Sequence, residues 1–247
     1  MDPSYAAAYR ELYERHWWWR AREAFLLERL RAASGGGVGR RILDVGCGDA
    51  LFFDELAAFG TVRGVEPDAD VLSEGPWRHA IHAGTLETFS PEGPFDWILM
   101  LDVLEHIETP GATLARAREF AADGASLFLT VPAFESLWTR HDDLNYHFRR
   151  YNRSAFLQVL SGTGWELAES EYFFHWLAPL KLLVKLKERL VKGDLEVESV
   201  PSRPLNAVAL AVSTVERRVF SRLQLPFGTS LYARCVASSG LGGSIEE

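Results

Sequence analysis

Apolar residues along this 247-residue chain fall into two rhythms. Short unbroken runs read as buried strands of a parallel sheet: Arg41-Ile42-Leu43-Asp44-Val45, Thr61 to Glu66, His79 to Ala83, Phe95 to Leu101 and Ser126 to Val131. Helical stretches lie between them. Leu51 to Phe59 is one, with Gly60 as its expected C′ residue. Another starts at Thr109-Pro110, Thr as cap and Pro at the first helical position, and runs to about Ala122. Asn152 is expected to cap a helix to Leu160, followed by a strand from Trp165 to Tyr172. A helix from Leu205 to about Leu223 precedes a last strand, Ser230 to Ala237. This alternation implies right-handed βαβ units and a doubly wound α/β sheet. The stretch Pro132 to Tyr151 interrupts it with polar and aromatic residues, and a loop of that length is usually functional or disordered.

Two segments stand outside the alternation. Residues 1–33, rich in Tyr, Trp, Arg and Glu, read as a helical cap with Leu26, Leu27 and Leu30 on one side, and a glycine-rich joint at 34–39 follows. The remainder, 34–247, reads as one domain carrying a helical insertion at 173–225. Within it Leu180, Leu183, Val184, Leu190 and Val191 share one helix face, opposite Lys181, Lys185, Glu188 and Lys192. Residues 181–192 carry a net +4 on a chain whose formal charge is −8. Such a basic amphipathic helix can lie in an anionic membrane surface through 173–192, or dock on the sheet or on a second subunit. Residues 193–204 read as a polar link.

Composition narrows the class. An apolar share of 47% and a charged share of 24% are those of a globular protein. A net acidic chain without a long Lys/Arg run argues against a general nucleic-acid binder. Cys47 and Cys235 stand far apart, which excludes a disulfide framework and a thiolate zinc site. No basic n-region precedes an apolar core at the start, and no run of 18 apolar residues occurs. The expected setting is the cytoplasm, with any membrane contact peripheral at the inner face; no oligomeric state is assigned.

The segment Ile42 to Ala50 is a strand running into a glycine turn that opens a helix. In a dinucleotide fingerprint a third glycine would stand at position 51, which is Leu51. Asp44 and Asp49 flank the turn, where a pyrophosphate would meet negative charge and a cationic amine or sulfonium would be attracted. Glu66, 22 residues after Asp44, can accept hydrogen bonds from both hydroxyls of a ribose. The pattern points to an adenosyl ligand without phosphates.

Asp44-Val45-Gly46-Cys47-Gly48, Gly64-Val65-Glu66-Pro67, Phe95-Asp96-Trp97-Ile98-Leu99 and Leu101-Asp102-Val103-Leu104-Glu105-His106-Ile107 resemble the successive motifs of class I S-adenosylmethionine-dependent methyltransferases, over roughly 35–240. The resemblance implies a Rossmann-like doubly wound α/β fold with a seven-stranded sheet whose last strand is antiparallel, entered by Gly228 to Arg234. It also implies S-adenosylmethionine as cofactor. Gly46 and Gly48 would let the backbone approach the methionine moiety, Asp44 would hold the turn, and Glu66 would bind the ribose with Pro67 beside it. Thr85 and Leu86 would border the adenine, although Thr85 stands where the family often has an acid. Leu101 and Asp102 would face cofactor and substrate, unless Leu101 is plain core. His16-Trp17-Trp18-Trp19-Arg20-Ala21-Arg22 is similar to the N-terminal segment of small-molecule enzymes near the quinone O-methyltransferases. There Arg22, with Arg20 second, would pair with the methionine carboxylate; otherwise this is an amphipathic helix with its tryptophans on the sheet and its arginines solvated.

The expected reaction is methyl transfer to a small molecule or a lipid- or sugar-linked acceptor, at oxygen. Its candidate bases are His106, His141 and His147, with Glu135 behind them, each weighed against a purely structural hydrogen bond. Asp102, Glu105 and His106 have metal-ligand chemistry, but Glu105 and His106 are adjacent at a helix start and face apart, so no metal is assigned. Arginines interleaved with aromatics in Asn145 to Tyr151 could grip a phosphate or sugar, or bond their own backbone. The competing readings are an NAD-dependent enzyme and a non-catalytic adenosyl-binding or membrane-docking protein of the same fold.

Overall fold

The computed structural model describes residues 3–190, 199–220, 223 and 225–238. Helices α1 (Pro3–Arg15) and α2 (Trp17–Ser34) precede β1 (Arg40–Val45), α3 (Phe53–Leu56), β2 (Gly60–Glu66), β3 (Ile81–Ala83) and β4 (Phe95–Leu101). Then come α4 (Pro110–Glu119), β5 (Ala121–Pro132), α5 (Arg140–Leu144), α6 (Arg153–Leu160) and β6 (Trp165–Phe173). The chain continues through α7 (Leu177–Leu190), α8 (Arg203–Phe220) and β7 (Ser230–Ala237). The strands form one seven-stranded sheet of order β3-β2-β1-β4-β5-β7-β6, parallel from β3 to β5 and with the last strand antiparallel. This is the expected doubly wound α/β architecture.

The residues divide into two compact units. One holds Val38–Pro132, Tyr151–Ser170 and the chain from Leu231, and contains most of the sheet. Its central strands carry apolar runs because both faces are covered: Ile42, Leu43, Ile98, Leu99 and Met100 are fully buried. Strand order reverses between β1 and β4, so the loops leaving these two strands flank the crevice where ligands of such sheets bind. At the edge, β6 is only half buried and carries Glu166 and Glu169, charges that discourage pairing with another sheet.

The other unit holds Met1–Gly37, Ala133–Arg150 and Glu171–Ser230. Here α2 buries Phe25, Leu26, Leu27 and Leu30, and the Phe25 ring stacks on Phe173 at 4.3 Å. The tryptophans pack on aromatic residues beyond β6: Trp17 on Trp176 at 5.4 Å and Trp18 on Phe174 at 5.7 Å. His16 caps α2, its Nδ1 accepting the Trp18 N–H.

Several local expectations are corrected. The helix expected over 51–59 is only Phe53–Leu56, because the bonds that follow tighten: Ala58 N–H reaches Glu55 O, and Phe59 N–H reaches Leu56 O. Gly60 is not a helix terminus but the first residue of β2, where a Cβ would lie 1.9 Å from the Arg40 carbonyl oxygen. Thr109 precedes α4 without a side-chain cap bond. His79 to Ala83 is strand only from Ile81. The interruption at 132–151 contains α5, which periodicity did not foretell. Of the expected link 193–204 and the helical face near 191–192, residues 191–198 lie outside the described residues.

Candidate active site

In the sheet-bearing unit, β1 ends at Val45 and the chain turns through Gly46, whose φ is +71°. A Cβ there would stand 2.7 Å from the Val103 side chain in the loop after β4, so only glycine lets the two loops close together. The Gly46 N–H donates to Val65 O, and the Gly48 N–H donates to Glu66 Oε2 at 2.8 Å. Glu66 Oε1 accepts the Asp68 N–H at 2.9 Å. One carboxylate therefore holds both the glycine turn and the turn after β2, with each oxygen keeping a further lone pair. Burial raises the Glu66 pKa, and its two backbone bonds oppose the shift.

Asp44 is buried on β1, and its charge, with those of Glu66 and Asp49, acts on the Cys47 thiol. Burial and then these carboxylates push the thiol far up. Three acids around one glycine turn make a surrounding that repels a pyrophosphate and favours a cation. Asp49 is itself held by Ser73, whose N–H and hydroxyl donate to it at 2.9 and 2.8 Å. Pro67 is exposed in the turn after Glu66.

Across the reversal, β4 ends at half-buried Leu101, and Asp102 takes φ +58°, a left-handed backbone uncommon for a residue with a side chain. Its N–H donates to Thr130 O at 2.9 Å, which holds this conformation against β5. His106 is half-buried in a short 3₁₀ turn, Leu104–His106. The pair expected at the adenine follows β3. Leu86 is buried in the core, with its carbonyl accepting from Arg116, while exposed Thr85 uses its side chain on Glu87.

In the other unit, residues 133–150 form a charged cluster around Asp142, which has no exposed surface. Its Oδ1 meets His147 Nδ1 at 2.9 Å and Arg150 Nε at 2.8 Å; its Oδ2 accepts the Thr139 N–H at 2.9 Å and the Thr139 hydroxyl at 3.3 Å. Burial alone would raise its pKa, but the His147 bond and the charges of Lys181 and Arg150 hold it well below the usual carboxylate range. A carboxylate fixed this way keeps the proton on His147 Nδ1 and makes Nε2 the basic nitrogen. His141 is unlike it. Burial and then Lys181 lower its pKa to about 4, and its Nε2 lies 3.2 Å from the Asn145 amide. Glu135, expected behind the histidines, instead accepts the Arg150 N–H at 2.7 Å. Arg150 binds Asp142 and the Ala133 carbonyl, so this loop arginine is spent on its own unit. Exposed Tyr146 and Phe148 flank His147.

Arg22 is buried in α2, with its guanidinium 5.8 and 5.7 Å from the Trp18 and Trp19 rings, whereas Arg20 is exposed. Sequence reasoning missed Asp142 and Val103. Thr139-x-x-Asp142 has the spacing of a capping box, which was a readable signal for Asp142. Nothing in the sequence marked Val103.

Residues 18–170 match the family described as Methyltransferase domain. The chain is 29% identical over 151 residues to the ubiquinone biosynthesis O-methyltransferase of Paracidovorax citrulli, covering 53% of this chain and 62% of that relative. Curated relatives of this description are matched over 45 to 62% of their own length. A SAM-dependent methyltransferase from Archaeoglobus fulgidus superposes with TM-score 0.53 at 16% identity, over 87% of this chain and 94% of that one. Phospholethanolamine N-methyltransferase 2 of Haemonchus contortus, solved with phosphomonomethylethanolamine and S-adenosylhomocysteine, superposes with TM-score 0.55 at 15% identity, over 85% of this chain and 52% of that one. At these identities the likeness is one of fold.

Proposed function

This chain belongs to the S-adenosylmethionine-dependent methyltransferases, and from that premise we propose that it methylates a hydroxyl oxygen of a small, lipid- or sugar-linked molecule, with His147 as general base. The observation that carries the choice of oxygen is the bond between Asp142 Oδ1 and His147 Nδ1, because an oxygen acceptor must lose a proton and this histidine is built to take one. The matched O-methyltransferases agree in reaction class.

The turn after β1 suits the cofactor. Its acids attract a cation, Gly46 and Gly48 leave the backbone open, and Glu66 retains lone pairs for ribose hydroxyls. When bound, S-adenosylmethionine supplies an electrophilic methyl on a sulfonium, whose leaving group is already activated. We assign Asp44, Gly46, Gly48, Glu66 and Pro67 to holding it. Leu101 and Asp102 face the reacting end, and Thr85 and Leu86 take the edge of the adenine pocket. Arg22, desolvated by two indoles, is assigned the methionine carboxylate. Asp142 positions His147, and Nε2 receives the hydroxyl proton as the oxygen becomes nucleophilic. Alignment and exclusion of water supply the remainder. In this reading residues 1–33 are a cap, 34–247 a methyltransferase domain with a helical insertion at 173–225, and the 173–192 region contacts an anionic membrane from which a lipid-linked acceptor is taken.

The test is turnover on phenols with and without a prenyl tail, followed by product analysis and pH–rate profiles. His147→Ala should lose about 10²-fold in kcat with cofactor affinity kept. Asp142→Asn should alter the pH profile of the step more than the KM. An N-methylated product from mixed acceptors, or full kcat in His147→Ala, would sink the proposal.

A further inference from the structure

Helices α7 and α8 are both turned inside out. Along α7 the half-buried positions are Leu177, Ala178, Lys181, Lys185 and Glu188, a helical stripe that is mainly charged. Lys185 Nζ donates to Ser136 O at 2.7 Å, and Glu188 Oε2 accepts the Arg140 N–H at 3.2 Å. The Lys181 charge acts on Asp142 and His141. The opposite side is Leu180, Leu182, Leu183, Val184, Leu186 and Leu190, all exposed, Leu183 by 62%. The basic face therefore points into the unit and the leucines point out, the reverse of a helix that rests lysines on a membrane and packs leucines on a sheet.

α8 repeats the inversion. Its inner positions hold polar groups, each with a partner. Asn206 Oδ1 accepts the Trp17 N–H and Ser213 accepts the Trp176 indole. Glu216 accepts the N–H groups of His175 and Trp176, and Arg217 pairs with Glu28. Its outer positions are Leu205, Val208, Val212, Val215 and Val219, spaced by alternate threes and fours and exposed by 40 to 60%. Among the described residues, every exposed charge on the two helices is positive: Lys187, Arg189, Arg203 and Arg218.

Apolar stripes of this extent are not left in water without a partner. A second copy of the chain docked face to face would bring two sets of cations together, which opposes self-association through this surface. An anionic leaflet answers both features, with side chains of Leu and Val entering the acyl boundary and cations at the phosphates. We propose that the outward faces of α7 and α8 are a membrane-docking surface that inserts Leu and Val side chains into an anionic lipid surface. This deepens the membrane contact stated above and rests on it: the Leu and Val face remains the inserting side, Lys181 and Lys185 turn inward and take no part, and α8 is added.

The experiment is co-sedimentation of the full chain with vesicles of phosphatidylcholine, alone or mixed with phosphatidylglycerol, at low and high salt. Cofactor binding by calorimetry serves as the folding control. The wild type should bind the anionic vesicles and keep part of that binding in high salt. Val208→Asp with Val212→Asp and Val215→Asp, and separately Leu183→Asp with Leu186→Asp, should each lower partitioning by about tenfold or more. Reversing Lys187, Arg189, Arg203 and Arg218 to Glu should abolish the preference for anionic lipid, whereas Lys185→Glu should leave it. If the wild type binds anionic vesicles and both apolar variants bind equally well, the insertion is wrong and a purely electrostatic membrane contact survives. If the wild type ignores anionic vesicles even at low salt, the membrane reading itself fails; dimerisation abolished by the valine variants would then give the surface to a second copy.

Discussion

At the scale of single residues, each unit has a carboxylate that organises its neighbours, Glu66 the backbone of two turns and Asp142 an imidazole. Glu66 holds the Gly48 and Asp68 amides, so its removal should loosen the turn as well as deprive the ribose of an acceptor. Glu66→Ala is expected to cost roughly 1.5–3 kcal/mol of S-adenosylmethionine affinity, read by calorimetry on folded protein. Unchanged affinity would mean that the second strand plays no part in binding. His141 bears on stability. Its pKa falls from 6.5 unfolded to about 4 folded, so the folded chain resists a proton that the unfolded chain accepts. Stability should be full above pH 6.5 and should decline by about 3 kcal/mol on acidification to pH 4, a loss that His141→Gln removes. Asp142 works in a lower window. Held below the ordinary carboxylate range, it stabilises above that range and its contribution goes as pH falls further, so the residual acid sensitivity of His141→Gln should lie there. Urea midpoints at stepped pH separate the two.

At the scale of elements, strands buried on both faces were legible because their apolar runs need no distant information. β4 and β7 have the bounds that their sequence predicts, Phe95–Leu101 and Ser230–Ala237. Short helices were not legible: α3 is cut short by tightening turns and by Gly60, and α5 depends on Thr139 and Asp142 bonding each other inside a cluster assembled from residues 133–150. The cap of α6 was readable. Asn152 Oδ1 accepts the Ala155 N–H at 2.8 Å, and Asn152→Ala should cost about 1 kcal/mol, seen as a fall of roughly 2–4 °C in Tm. No change in Tm would mean that water replaces the cap without loss.

At the scale of the whole molecule, a ligand that binds only the folded chain raises its stability by mass action. S-adenosylmethionine or its demethylated product at 100 times Kd should add about 2.7 kcal/mol, while NAD, its pyrophosphate repelled at Asp44 and Asp49, should leave Tm unchanged. A Tm raised by NAD and unmoved by S-adenosylmethionine would reverse the assignment of the turn. The sequence by itself determined the α/β alternation, the central strands, the glycine turn with its acids and the family, since each is written in contiguous residues or in a short fixed spacing. It also determined that 177–190 has two faces. Only the tertiary structure decided which face turns inward, because that depends on whether buried polar groups find partners: Lys185 meets the Ser136 carbonyl, Glu216 meets the amides of His175 and Trp176, and Asn206 meets Trp17. Surroundings of side chains follow the same rule: His141 and His147 look alike along the chain, and the fold places a buried carboxylate against His147 Nδ1 and an amide and a lysine charge near His141.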